Sequence, residues 1–224
     1  MFSVCEMPAY KCKIIATEIS YEDVDERNWK VSMRKIRICK IRKYIDLILS
    51  ILFILSVVLG YYKDVSHMSE YCFISGLFVG ITFFISYLRQ QVHNKPLNAC
   101  IYLACVVDIF IIFIATVTVR LNLDGAFWFI HIINPIIILI YWFVLCDQRI
   151  MKWKETLSVV VFPLLYMLFA FVLLKINGSC PFPASLIFMD YNGFMSLVIL
   201  SVLAVILWVF GCMFHMLKKL VQRK

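Results

Sequence analysis

The sequence predicts an all-helical (all-α) polytopic membrane protein, a six-helix transmembrane bundle. Hydrophobic residues make up 63% of the 224 residues and charged residues only 16%, and a soluble domain of this length could not bury so much apolar surface. Six apolar segments each approach the roughly 20 residues that a helix needs to cross hydrocarbon. Helices satisfy their own backbone in lipid, so we expect helical spans. Their predicted bounds are 44–62, 69–89, 97–119, 126–147, 155–175 and 194–217.

Residues 1–42 are predicted to form a basic cytosolic arm, ahead of a transmembrane domain over 43–218 and a basic tail over 219–224. Between Arg27 and Lys43 the chain carries eight Lys or Arg and no acid. Such a stretch can lie on an anionic membrane surface as an amphipathic helix. Positive charge before a first span is more often a topology signal than a nucleic-acid site, so the expected partners are membrane lipids and not nucleic acid. The residues expected at the membrane surface are Lys30, Arg34, Lys35, Arg37, Lys40, Arg42 and Lys43.

The distribution of positive charge predicts that both termini lie in the cytosol. With the N-terminus inside, 19 of the 22 Lys and Arg fall on the inner side of the six spans and three on the outer side. Inner loops carry the excess of Lys and Arg in membrane proteins. We see no apolar segment before a cleavage site at the start of the chain, so no signal peptide is expected.

The long outer connection, 176–193, is rich in turn residues and yet apolar. Pro181 and Pro183 fix an extended piece within it. We expect this segment, with Asp190 near its end, to fold back over the outer mouth of the bundle as a lid. A plain interfacial loop is the alternative.

Polar residues at matching depth in two spans form a candidate site. His131 lies about five residues into the fourth span, roughly 7–8 Å deep. Cys72 and Ser75 lie at the outer start of the second span on one helical face. A thiol or hydroxyl near an imidazole is the minimal nucleophile–base pair for acyl transfer, and Asn134 or the lid backbone could support an oxyanion. The alternative is that these polar groups only mediate helix packing.

Asp108 lies mid-way through the third span, where a carboxyl group must be protonated, paired or hydrated. It could orient His131, carry protons in a transporter, or form one structural bond. Asp46, His93 and His215 lie near the inner edges of their spans, where we expect access to the interface and no special role.

The nine cysteines do not predict a disulfide framework or a metal site. Most lie in the basic arm or the apolar spans, and only Cys180 lies in a predicted outer loop. Buried cysteine usually behaves as a small hydrophobe. The four histidines have no ligand spacing to a cysteine pair, and we expect no metal and no cofactor.

Several short motifs occur in a recognisable order along residues 44–217. They are His131-x3-Pro135 followed by Trp142, then Phe162-Pro163-x2-Tyr166, then Cys180-Pro181-Phe182-Pro183 with Asp190. In this order they resemble the bacterial six-helix family called Pr-six-Pr, which is similar in turn to the androgen-induced membrane proteins of animals, intramembrane hydrolases of fatty acid esters.

The resemblance implies a bacterial plasma-membrane protein with a threonine–histidine catalytic pair. The histidine corresponds to His131. Cys72 stands where the bacterial members have the threonine, and Gly76 where they have an asparagine. Pro135, Trp142 and Tyr166 would then belong to the pocket and lid.

Three functions are open on the sequence alone. The first is an intramembrane lipid ester hydrolase, with Cys72 or Ser75 as nucleophile and His131 as base. The second is a small transporter that uses Asp108 and His131, although the chain shows no convincing internal repeat. The third is a non-catalytic protein that binds lipid or a partner through the arm. The oligomeric state and substrate are not indicated.

Overall fold

The computed structural model describes residues 26–63, 65–93, 95–119, 125–146, 151–189 and 192–222, with side chains from residue 41 onward. In these ranges the chain is all-helical and has no strand. Most of the basic arm, the Asp190 position and the side chains of Lys30, Arg34, Lys35, Arg37 and Lys40 lie outside the described residues.

Seven α-helices follow one another in the described chain. Two of the connections between them contain a short 3-10 helix, at Val65–Ser69 and at Trp153–Leu157. The α-helices are α1 Glu26–Tyr61, α2 Tyr71–His93, α3 Ala99–Val119, α4 Asn134–Val144, α5 Ser158–Asn177, α6 Ser185–Phe188 and α7 Gly193–Gln222. We call the end of the bundle where α1 carries Arg42 the arm end, and the opposite end, where α1 stops at Tyr61, the lid end.

Five stretches are long and apolar enough to cross a membrane: Ile41–Tyr61, Tyr71–His93, Ala99–Thr118, Trp153–Asn177 and Gly193–Gln222. They correspond to five of the six predicted spans. The predicted fourth span corresponds to a shorter apolar helix, Phe129–Val144. These helices fit a multi-pass membrane protein.

Small residues bring α1 and α2 close together. A Cβ added to Gly80 would lie 2.6 Å from Ile54 Cγ1 and 3.3 Å from the Ser50 carbonyl oxygen, and one added to Gly76 would collide with Val57. A small residue at every fourth position lets helix backbones approach in a membrane. The pair Gly76 and Gly80 therefore sets the position of α2 against α1.

The segment that leads into α4 is a turn of π-helix. It runs over Phe129–Ile133, and the Asn134 backbone N–H donates to the Phe129 carbonyl. Pro135 follows directly and has no N–H, and its ring clashes with the carbonyl four residues earlier, which belongs to His131. The wider turn accommodates this proline, and it places His131 within a kind of bulge that is frequent at functional sites.

The outer connection folds back against the bundle. The Phe182 carbonyl accepts hydrogen bonds from the Tyr71 backbone N–H (3.2 Å) and the Tyr166 hydroxyl (2.9 Å). Gly178 begins the connection in the left-handed conformation (φ 68°) that commonly ends a helix. We call residues 178–189 the lid, because they cover this end of α2 and α5.

Candidate functional site

An apolar cavity of about 320 Å³ lies beneath the lid. The start of α2, the last turns of α3 and the lid line it, and it is open on one side. Its lining residues are Tyr71, Cys72, Ile111, Ile112, Ile114, Ala115, Thr118, Phe182, Pro183 and Leu186. An apolar pocket with a few polar groups is the usual form of a small-molecule site, and we call it the lid-end cavity.

A tyrosine–carboxyl pair lies at the floor of the lid-end cavity. The Tyr71 hydroxyl donates to Asp108 Oδ1 over 3.2 Å. Asp108 is fully buried one helical turn below the lining residues Ile111 and Ile112, and its Oδ2 accepts no hydrogen bond from the described residues. Ser75 is fully buried beside the Tyr71 hydroxyl. Asp108 and Ser75, both predicted from the sequence, thus lie close to the same hydroxyl group, that of Tyr71.

Cys72 faces the lid-end cavity from α2. Its thiol lies near the Tyr61 hydroxyl and the Glu70 carboxylate. It also packs against a small apolar cluster formed by Val57, Tyr61 and Ile130. Phe127, on which His131 stacks, packs against the same cluster, so the structure brings Cys72 and the predicted base to the borders of one cluster.

The imidazole of His131 is buried and stacks on Phe127, with ring centroids 5.8 Å apart. Asn134, three residues on, donates from Nδ2 to Ser56 Oγ over 2.8 Å and so ties α4 to α1. Pro135 is buried beside it. Neither His131 nor these two residues belong to the lining of the lid-end cavity.

The remaining predicted pocket residues divide between the two ends. Tyr166 holds the lid through Phe182 and also donates to the Ser69 carbonyl over 3.3 Å. Pro183 lines the lid-end cavity, and the Pro181 carbonyl accepts the Ser185 N–H (3.1 Å). Trp142 is fully buried two residues before the end of α4, at the arm end. It therefore lies away from the cavity that it was expected to line.

A polar network that the sequence did not predict fills the arm end. Asp46 Oδ1 accepts from the Tyr141 hydroxyl (2.7 Å), and Oδ2 accepts from Ser86 Oγ (2.6 Å), Gln90 Nε2 (2.7 Å) and Tyr102 (3.4 Å). Asp46 is fully buried, so the expectation that it reaches the interface and has no role was wrong. We call these residues, with Arg42, the arm-end network.

Arg42 completes the arm-end network. Its Nε donates to the Tyr141 hydroxyl over 3.1 Å, and its guanidinium carbon lies 5.2 Å from the Tyr102 ring centroid and 5.7 Å from that of Tyr141. Arg42 is 7% exposed. It was predicted at the membrane surface but is largely buried, because carboxyl and aromatic partners from three helices, α1, α3 and α4, surround it. Lys43, its neighbour, remains partly exposed.

Another apolar groove lies on the other side of the lid, between α5 and α7. Its volume is about 530 Å³. Phe188 of α6 lines this groove, whereas Leu186 of the same short helix lines the lid-end cavity. The lid helix thus separates two apolar spaces.

Within the described residues, no group of three or more His, Cys, Asp or Glu is arranged to hold a metal ion. The thiol of Cys180, in the lid, is half-buried, and this burial raises its pKa.

Comparisons with known proteins identify no relative: no family model, no curated protein and no solved structure matches the chain. The long apolar helices of this all-helical fold are compatible with a multi-pass membrane protein.

Proposed function

We propose that this protein is a six-span membrane protein that binds the acyl chain of a lipid in the lid-end cavity. The fourth span is then the short helix Phe129–Val144, completed at each end by neighbouring residues. Both termini lie in the cytosol, because that orientation places 19 of the 22 Lys and Arg inside. The lid end then faces the outer leaflet, and the resemblance to the Pr-six-Pr family favours a bacterial plasma membrane.

The observation that carries the proposal is the lid-end cavity itself. Its wall is almost wholly aliphatic and aromatic, and it lies where α2 and α3 reach the boundary of their spans. Tyr71 and Thr118 are the hydroxyl side chains in its lining. Such a wall accepts a hydrocarbon chain at low cost in desolvation and offers polar contacts to its oxygen-bearing end.

A tryptophan placed in the cavity wall tests acyl-chain binding. Ala115→Trp fills the space, whereas Val117→Trp adds the same ring at a position on α3 that is 63% exposed and outside the lining. The purified protein is irradiated with a photoactivatable fatty acid, and the cross-linked peptides are mapped. We expect labelling of α2, α3 and lid peptides in the wild type and Val117→Trp, and at least a fivefold loss in Ala115→Trp.

Equal labelling of both variants, or labelling spread evenly over all lipid-facing helices, would contradict binding in this cavity. A melting temperature equal to that of the wild type shows that each variant is folded.

Hydrolysis of a lipid ester is a second candidate, favoured by the position of Cys72 in the cavity wall near the turn that carries His131. In this reaction the Cys72 sulfur attacks the ester carbonyl and forms a thioester as the C–O bond to the alcohol breaks. His131 takes the thiol proton and returns it to the leaving alkoxide. Water then hydrolyses the thioester, with His131 again as base, to release the fatty acid.

Covalent labelling distinguishes a hydrolase from a lipid-binding protein. A lipid-tailed thiol reagent and a lipid-tailed fluorophosphonate are compared on the wild type, Cys72→Ala, Ser75→Ala and His131→Ala. Loss of labelling with His131→Ala and with one of the two nucleophile variants supports hydrolysis and identifies the nucleophile. Labelling of Cys72 that is indifferent to His131 rules out the activated pair and leaves acyl-chain binding as the function.

A further inference from the structure

A tryptophan surrounded by lysines lies at the arm end, on the side formed by α5 and α7. Trp153 begins the candidate span Trp153–Asn177 and is half exposed. The Lys219 ammonium lies 5.5 Å from the centroid of its ring, a cation–π distance. Lys152 and Lys154 flank it and are exposed. We call these four residues the Trp153 corner.

A buried histidine lies behind the Trp153 corner. His215 precedes Lys219 by one helical turn, and its ring meets the Trp153 ring edge-on, with centroids 5.2 Å apart and planes at 80°. It is fully buried, and neither ring nitrogen makes a hydrogen bond with the described residues. The expectation that His215 has access to the interface is therefore wrong. A buried donor without a partner is rare enough in proteins to require an explanation.

Neighbouring polar groups at the corner already have protein partners. Lys218 Nζ donates to the Trp142 and Phe143 carbonyls, both over 2.6 Å. The Glu155 carboxylate accepts the Lys152 backbone N–H over 3.0 Å. Glu155 is the acidic residue of this 3-10 helix, so the three lysines of the corner exceed it in charge.

We propose that the Trp153 corner binds the phosphate of an anionic phospholipid from the inner leaflet. Basic groups between transmembrane helices on the cytoplasmic side are suited to such headgroups, and tryptophan favours the level where headgroup and acyl chain meet. Lys219 and Lys154 supply charge, the indole packs on the glycerol region, and His215 packs edge-on behind the indole. This site is independent of the lid-end cavity, since it lies at the opposite end of the bundle.

The test is lipid retention by the full-length protein in detergent, measured by native mass spectrometry. Dioleoyl phosphatidylglycerol is titrated against dioleoyl phosphatidylcholine, which has the same chains. We expect the wild type to retain the anionic lipid preferentially, and Lys219→Gln to weaken its binding about fivefold, since a lysine near a membrane surface contributes about a factor of five. Trp153→Leu should weaken it as well.

Lys175→Gln is the matched control. Lys175 is also exposed and also lies over an aromatic ring, that of Phe171 at 5.4 Å, but at the lid end. It should leave phosphatidylglycerol retention unchanged. If Lys219→Gln does not fold, Lys154→Gln makes the same test.

Three outcomes would overturn the proposal: equal retention of the two lipids, equal loss in Lys219→Gln and Lys175→Gln, or displacement of the lipid by millimolar inorganic phosphate, which would show a site for free phosphate instead.

Discussion

Two carboxyl groups that are buried in the described part of the bundle have opposite surroundings. Asp46, at the arm end, accepts hydrogen bonds at both oxygens, and its donors come from three other helices. Asp108, near the lid end, accepts one hydrogen bond at one oxygen, from Tyr71. Both side chains are fully buried.

The difference separates a carboxyl group that is tied into the bundle from one that, among the described residues, keeps an acceptor oxygen free. Both Asp46 oxygens have donors, and a buried network of this kind rigidifies a core, although Gln90 Oε1 has no hydrogen bond from the described residues. A buried carboxyl oxygen without a donor costs free energy that the fold does not recover, and here it lies one turn below a cavity. Asp46 therefore ties four helices together, whereas Asp108 keeps an acceptor free beside the lid-end cavity.

The largest effect is expected from Asp46→Ala. The change removes the acceptor of the Tyr141 and Ser86 hydroxyls and one of the acceptors of the Gln90 amide, in a buried site. We expect a loss of about 3 kcal/mol or more of folding free energy, measured by thermal unfolding in detergent. Asp46→Asn, which keeps one oxygen, should lose less. An Asp46→Ala protein that melts with the wild type would refute the structural role of the network.

Two tyrosine-to-phenylalanine changes compare the ends directly. Tyr141→Phe removes a donor to Asp46 and an acceptor for Arg42, whereas Tyr71→Phe removes one donor, to Asp108. We expect about 2 kcal/mol of destabilisation for the first and about 1 kcal/mol for the second. The two melting curves, recorded in the same detergent, give the comparison. The reverse order would mean that the lid end carries the stronger network.

A smaller effect is expected from Asp108→Asn. The asparagine keeps a carbonyl oxygen for the Tyr71 hydroxyl, and it removes no other acceptor in use. The folding free energy should change by less than about 1 kcal/mol, as read from the melting temperature. A loss as large as that of Asp46→Ala would show that Asp108 supports more of the bundle than its one hydrogen bond does.

The smallest effect concerns the lid. Burial raises the pKa of the Cys180 thiol, so less of it is thiolate at neutral pH, and the thiolate is the form that alkylates. Iodoacetamide should therefore label Cys180 more slowly at pH 7.5 in the folded protein than in protein unfolded by SDS. The two rates, followed by mass spectrometry of the lid peptide, should converge at high pH. Equal rates at pH 7.5 would show that the lid leaves this thiol in water.

Composition and apolar segment length were enough to predict the all-helical fold and the position of five long apolar helices. The fourth segment differs because its apolar helix extends only over Phe129–Val144, and it begins with a π turn ahead of Pro135. Length and hydropathy do not contain that information. The sequence does contain the glycine pair of α2, as Gly76-x3-Gly80. Its role in the close packing of α2 against α1 was not predicted.

The arm-end network could not be deduced by taking each polar residue alone. Asp46 is 40 positions from Ser86, 56 from Tyr102 and 95 from Tyr141, and estimated depth gave Asp46 a route to water. The sequence places polar residues at a similar depth in four predicted spans, near their cytosolic ends, and this pattern could have indicated the network. The anchor of the lid was beyond sequence analysis for another reason, because the acceptor is the backbone carbonyl of Phe182 and any residue has one.

The hydrogen bonds from Lys218 to the last carbonyls of α4 have a consequence for biosynthesis. The ammonium group reaches residues 76 and 75 positions earlier in the chain, and a cation there also complements the negative end of the helix dipole. A ribosome completes α4 long before it reaches Lys218. During that interval the last carbonyls of α4 lack this donor, and the contact between α4 and α7 forms only after the seventh helix has been made.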